Sequence, residues 1–173
     1  GLLSTIDVLD HHKVAHAGTG KSLEEAAKPA VLEANGQRIA IFSVDTSFQD
    51  PSRAGRATHV VPSRPGVNFL RHSKAYKITE EEERQLRAIA EKTRINFLRQ
   101  MIIDIGYLPP DPPGFFVLGE QQYTTKTDIP ATRCNEKDKK RLTDAVRKAK
   151  EENDFVFMMV HCHDNDGFSN SNP

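Results

Sequence analysis

Two histidines separated by a single residue, His161 and His163, are followed at once by Asp164, Asn165 and Asp166. In an extended segment alternate side chains share a face, so both imidazoles can enter one pocket while Cys162 points away. Imidazole with carboxylate is an ordinary ligand set for zinc, manganese or iron. A divalent ion held there would lower the pKa of a bound water or polarise a phosphoryl or acyl oxygen. A metal site needs about four convergent donors, so the same residues also read as a polar loop whose histidines cap backbone groups. Arg64 and Arg71, at the two ends of Arg64-Pro65-Gly66-Val67-Asn68-Phe69-Leu70-Arg71, are the second candidates. A guanidinium fork on a Pro/Gly-fixed loop can clamp a carboxylate or phosphate. The plainer alternative pairs these arginines with Glu80, Glu81, Glu82 and Glu83. A third stretch, Ala17-Gly18-Thr19-Gly20-Lys21-Ser22, imitates a phosphate-binding loop. That motif needs glycine where Ala15 stands, and Pro29 cuts the next helix short. A turn leading into a capped helix accounts for it. His11 and His12 diverge by about 100° on a helix and cannot share a ligand.

The elements that must position these residues follow from pattern. Leu2, Leu3, Ile6 and Leu9 have helical spacing. The run 14–17 reads as a short strand, and Ser22 with Glu25 marks a helix start. Asn35-Gly36 between two apolar arms predicts a tight hairpin, because both residues tolerate positive φ. The second arm, 38–44, is nearly continuous in apolar residues, as expected of a strand buried on both faces, and 155–160 reads as a second buried strand. One helix is predicted over 80–105, with its acidic start on the positive end of the dipole and Gly106 at its stop. Another runs from an Asn135 cap to about Asn153. A short strand or a packing plug is expected at 115–118. Helix, hairpin, excursion, helix and strand together predict an α/β fold with a mixed sheet. In such sheets ligands gather at the carboxyl ends of strands, and two strand ends here lead into polar residues: Asp45-Thr46-Ser47 and the histidine cluster.

The chain of 173 residues carries 24 basic and 24 acidic side chains, so its formal net charge is zero. This balance gives no support for nucleic acid as a partner. No run approaches the roughly 18 apolar residues of a membrane span. Two cysteines are too few for a disulfide scaffold.

Several stretches resemble one family. Gly1-Leu2-Leu3-Ser4-Thr5-Ile6-Asp7-Val8-Leu9, Val14-Ala15-His16-Ala17-Gly18-Thr19-Gly20, Glu25-Ala26-Ala27-Lys28-Pro29-Ala30 and Asn35-Gly36-Gln37-Arg38-Ile39-Ala40-Ile41-Phe42 look like the bacterial capsule-synthesis proteins of the CapA type, linked to poly-γ-glutamate. Arg64-Pro65-Gly66-Val67-Asn68 and Leu70-Arg71 resemble one branch of it, and Asp154-Phe155-Val156 to Val160-His161 resembles its strand and histidine. The resemblance implies a metallophosphoesterase-like β-sandwich flanked by helices, with 1–173 as one partial domain containing loop-rich excursions at about 45–79 and 106–134. It implies His161, with His163 and Asp164 of the variant branch, as part of a divalent metal site for manganese, zinc or iron. Arg64 and Arg71 would hold an anionic polymer or a small anionic substrate. Function is then metal-dependent hydrolysis of a phosphoester or γ-glutamyl-type bond. The alternative is a non-catalytic, polyanion-binding component of a capsule polymer synthesis or export assembly. The remaining ligands are expected before Gly1, in an Asn-Asn-His-x-x-Asp stretch, and after Pro173, in a Gly-His-x-x-His stretch. Any membrane association would come through parts outside this chain, at the cell envelope or its outer side.

Overall fold

The structure, a computed structural model, describes residues 1–163. In chain order its elements are α1 (Leu2–His11), β1 (Thr19–Gly20), α2 (Leu23–Ala26), β2 (Ala30–Ala34), β3 (Gln37–Asp45), a single 3-10 turn (Asp50–Ser52), β4 (Gly66–Val67) and β5 (His72–Lys77). Then come α3 (Glu80–Thr93), α4 (Phe97–Asp104), β6 (Phe116–Leu118), β7 (Gln121–Thr124), β8 (Thr132–Cys134), α5 (Glu136–Glu152) and β9 (Phe155–His161). Helices and mixed sheets make an α/β fold. The described residues form two compact units, one of residues 1–71 with those from 134 to 163 and one of residues 72–133.

The first unit is built on the sheet β2-β3-β9. Its hairpin turns at Asn35 and Gly36, at φ 52° and 75°, the left-handed pair that the dipeptide predicts. β3 then pairs in parallel with β9, from Ile39 opposite Phe155 to Asp45 opposite His161. On one face Ala40 and Phe42 pack with Ala149 of α5, joined by Ala145, Val146, Val156 and Met158. α5 reads as its cap predicts, with the Asn135 side chain accepting from the Asp138 N–H at 3.2 Å. The expectation that β9 is buried is corrected, and the second face of β3, with Ile39 and Ile41, is only half-buried. α5 covers the face of the even-numbered residues, while Phe155, Phe157 and Met159 on the other face are exposed. A second cluster joins Leu23, Ala26, Ala54 and Phe69 under Phe48.

No strand forms at 14–17; Lys13 turns the chain at φ 55°, and only Thr19 and Gly20 pair, with Val67 and Gly66. At Gly66 the backbones touch closely: a Cβ there would sit 2.3 Å from the Ala54 nitrogen and 2.4 Å from the Arg53 carbonyl carbon. Backbone cannot yield as a side chain can. Gly66→Ala is therefore expected to destabilise the protein by about 3 kcal/mol in chemical denaturation.

In the second unit β7 lies between β6, antiparallel, and β5, parallel, with β8 beyond β5. α3 opens with a reciprocal cap: Thr79 Oγ1 accepts from Glu82 N–H at 3.2 Å, and Glu82 Oε2 accepts from Thr79 N–H at 2.7 Å. The single helix predicted over 80–105 is in fact two. Arg94 takes a left-handed conformation at φ 54°, and Asn96 is drawn toward the β6–β7 turn, bonding the Val117 carbonyl at 2.5 Å and the Gly119 N–H at 2.9 Å. Apolar periodicity continues across this break, so spacing alone does not reveal it.

Candidate functional site

The parallel pairing sets the ends of β3 and β9 side by side, and with them the two polar strand ends. Thr46 donates twice to the His161 carbonyl, through its N–H at 2.9 Å and its hydroxyl at 3.1 Å. Ser47 Oγ accepts the His163 N–H at 2.7 Å, and Asp45 Oδ1 accepts the Ser47 N–H at 2.8 Å. These backbone ties fix the segment that leaves the sheet. The alternation of side chains then brings His161 and His163 together, with their Nε2 atoms 2.8 Å apart and ring centroids at 4.4 Å. Both residues are exposed. The contact requires one Nε2 to donate and the other to accept, so the two rings hold opposite tautomeric roles at this point.

Two imidazole nitrogens directed at one point are compatible with two ligands of a divalent ion. Among the described residues no group of three or more His, Cys, Asp or Glu side chains is placed to hold a metal. Asp164 lies outside the described residues. Asp45 is the nearest carboxylate in the register, with one oxygen already occupied by Ser47.

Arg64 and Arg71 are both engaged within the fold. Arg64 is exposed, yet its Nε donates to the Arg53 carbonyl at 2.9 Å and its Nη2 to the Asp50 carbonyl at 3.4 Å. Arg71 clasps Asp138 through Nε at 2.7 Å and Nη2 at 3.0 Å, and its backbone N–H adds a third bond at 3.1 Å. Neither pairs with the acidic run, where Glu81 is bonded by Arg84 and Glu83 by Arg87. Burial works to raise the Asp138 pKa, but hydrogen bonds from the Arg71 side chain and backbone, with the charges of Arg71 and Arg141, outweigh it. The carboxyl is held below its ordinary value.

Sequence reasoning missed the network behind the strand end. Asn68, almost wholly buried, donates from Nδ2 to the Ser43 carbonyl at 2.8 Å and accepts from Arg141 Nη1 at 2.6 Å. Its own carbonyl accepts the Asp45 N–H at 2.9 Å. Arg141 also reaches the Phe69 carbonyl. These partners lie 23 to 73 residues apart, so no local pattern announces them.

The stretch 17–22 is occupied by packing. Gly18, at φ 91°, lies against Ser43, and Gly20 against the Glu25–Ala26 backbone. Ser22 caps α2 through the Glu25 N–H at 3.3 Å, while Glu25 Oε2 takes the Lys21 N–H at 2.7 Å. The Lys21 ammonium is 3.8 Å from Asp7 and exposed. Lys21→Ala is expected to change stability by no more than about 0.5 kcal/mol and to leave ATP binding, measured by calorimetry, as negligible as before.

A family model described as bacterial capsule synthesis protein PGA_cap matches residues 1–172. Two proteins of Sinorhizobium fredii (strain NBRC 101917 / NGR234), the uncharacterized proteins y4sH and y4uA, are each 30% identical over 165 residues. The matches cover 95% of this chain and 34% of each relative, so the chain spans about a third of the length of these proteins. Among the described residues no helix is long and apolar enough to cross a membrane.

Proposed function

The chain belongs to the bacterial capsule synthesis protein family, and from that premise we propose that it is part of a metal-dependent hydrolase acting on a phosphoester or γ-glutamyl-type bond. The observation that carries this reading is the convergence of His161 and His163 at the end of a parallel strand pair. His161 and His163, with Asp164, would hold part of a divalent ion, manganese, zinc or iron by donor chemistry. Bound there, the ion would supply an activated water or polarise the oxygen under attack. The protein's own part is to hold the two rings: Thr46 and Ser47 fix the backbone of residues 161 and 163, and Asn68 fixes that of Asp45. An anionic substrate would meet Arg64, whose Nη1 has no bond among the described residues, and the exposed part of Arg71.

The test uses the full-length protein, purified without chelator and analysed for metal by mass spectrometry. About one or two divalent ions per chain, lost together with phosphodiesterase or γ-glutamyl hydrolase activity on chelation and restored on adding the ion back, is the expected result. A protein that binds poly-γ-glutamate but holds no stoichiometric metal would instead be the polyanion-binding component.

A further inference from the structure

At the opposite end of the central sheet lies a cleft of about 250 Å³ between the β2–β3 hairpin and the last turns of α5. The β3 residue of its lining nearest the histidines is Phe42, three residues or about 10 Å at strand rise from Asp45, and none of the lining residues belongs to the histidine site. The cleft is therefore separate from the site above. Its floor is apolar, made by Phe42, Ala145 and Ala149, with Phe42 and Ala149 buried. Its rim is cationic. Lys28, Arg38 and Lys148 line it against one carboxylate, Glu152. Neither Lys28 nor Lys148 has a carboxylate partner among the described residues; the Arg38 side chain has Glu33 at 4.0 Å, and its backbone N–H donates to the Asp154 carboxylate at 2.7 Å. A further lining residue, Asn153, donates from Nδ2 to the Ala149 carbonyl at 2.8 Å, while its Oδ1 is buried with no hydrogen-bond partner. A buried acceptor left unpaired is costly, and a donor placed beside it relieves that cost.

We propose that this cleft binds a small anionic amphiphile: a carboxylate or phosphate on a flat apolar body that carries one N–H or O–H donor. Each part of that description answers one part of the cleft. The apolar body covers Phe42 and the two alanines, the anion meets the three cations, and the donor pairs with Asn153 Oδ1 once the ligand displaces the Asn153 carboxamide from the position in which that oxygen is now buried. An apolar pocket with a few placed polar groups is the usual form of a small-molecule site. The proposal does not depend on hydrolase activity at the histidines.

The probe is indole-3-acetate, which has a ring, an N–H and a carboxylate. It is titrated into the full chain and followed by calorimetry and amide chemical shifts. Saturable binding with a dissociation constant on the order of 1 mM or tighter is expected for a ligand of this size. Shifts should fall on residues 28–42 and 145–153 and spare 161–163. Tryptamine, the same ring with a cation, and acetate, the same anion with no ring, should bind at least tenfold more weakly. Arg38→Glu combined with Lys148→Glu changes two exposed positions and should weaken indole-3-acetate at least tenfold while the fold is kept. Ala145→Leu, which fills the floor, is a second variant that should also lose binding. The proposal is overturned by no saturable binding, by tryptamine binding as well as the acid, or by undiminished affinity in both variants.

Discussion

His161→Ala in the full-length protein is expected to lower divalent-metal affinity at least about 100-fold, and hydrolytic activity with it. Changes merely behind a metal ligand typically cost 10–100-fold, and on the proposed reading a nitrogen ligand itself is removed. Stability should hardly move. His161 is exposed, and its contacts with β3 and Thr46 are made by backbone atoms that alanine retains. Unfolding free energies within about 0.5 kcal/mol of the parent are therefore expected. His163→Ala should behave alike, because the Nε2 atoms of the two rings meet and Ser47 holds only the backbone of residue 163. Loss of metal with an intact fold separates a ligand from a structural residue. If both variants keep stoichiometric metal and full activity, the pair is a surface contact and the hydrolase reading of this strand end falls.

The strand end was legible because its information is local. Alternation in 155–163 places both histidines on one side, and the Asn35-Gly36 turn sets the hairpin whose second arm receives β9. Likewise the Asn135 cap and the apolar spacing of α5 predict that helix and its inward face. What failed depends on contacts distant in sequence. An unbroken apolar spacing extends over 80–105, yet Asn96 is captured by a turn more than twenty residues away. The run 155–160 is apolar on both sides, while α5 covers only one of them. Arg64 and Arg71 have the chemistry of an anion clamp, but side-chain type does not reveal that loop carbonyls and Asp138 already occupy much of each guanidinium. For the same reason Asn68 and Arg141, which tie three segments together, carry no sequence signal of their own.

Asp138→Asn is expected to cost about 3 kcal/mol at neutral pH, among the largest losses from a single polar side chain here. Asp138 is 4% exposed, and its removal leaves Arg71 unpaired and Arg141 without its neighbouring negative charge. Breaking such a pair on one side typically costs about 3–5 kcal/mol when both groups are fully buried; the partial exposure of Arg71 argues for the lower end. The loss should depend on pH in a definite direction. A carboxyl whose folded pKa is depressed contributes stability that is present in full above its unfolded value, about 3.9. That contribution is lost as the pH falls through the lower folded value. The parent should therefore lose stability steeply below about pH 4, and Asp138→Asn less so, so that the two curves converge in acid. The same variant reaches the strand end indirectly. Arg71 and Asn135, joined by a 2.7 Å backbone bond, are the residues around which the chain leaves and re-enters the first unit. Arg141, one turn along α5 from Asp138, holds Asn68 against β3. Asp138→Asn should accordingly weaken metal binding several-fold, far less than His161→Ala. A loss under about 1 kcal/mol, or a parent–variant difference that is equal at pH 7 and pH 3, would show that the Arg71–Asp138 clasp does not hold this end of the sheet.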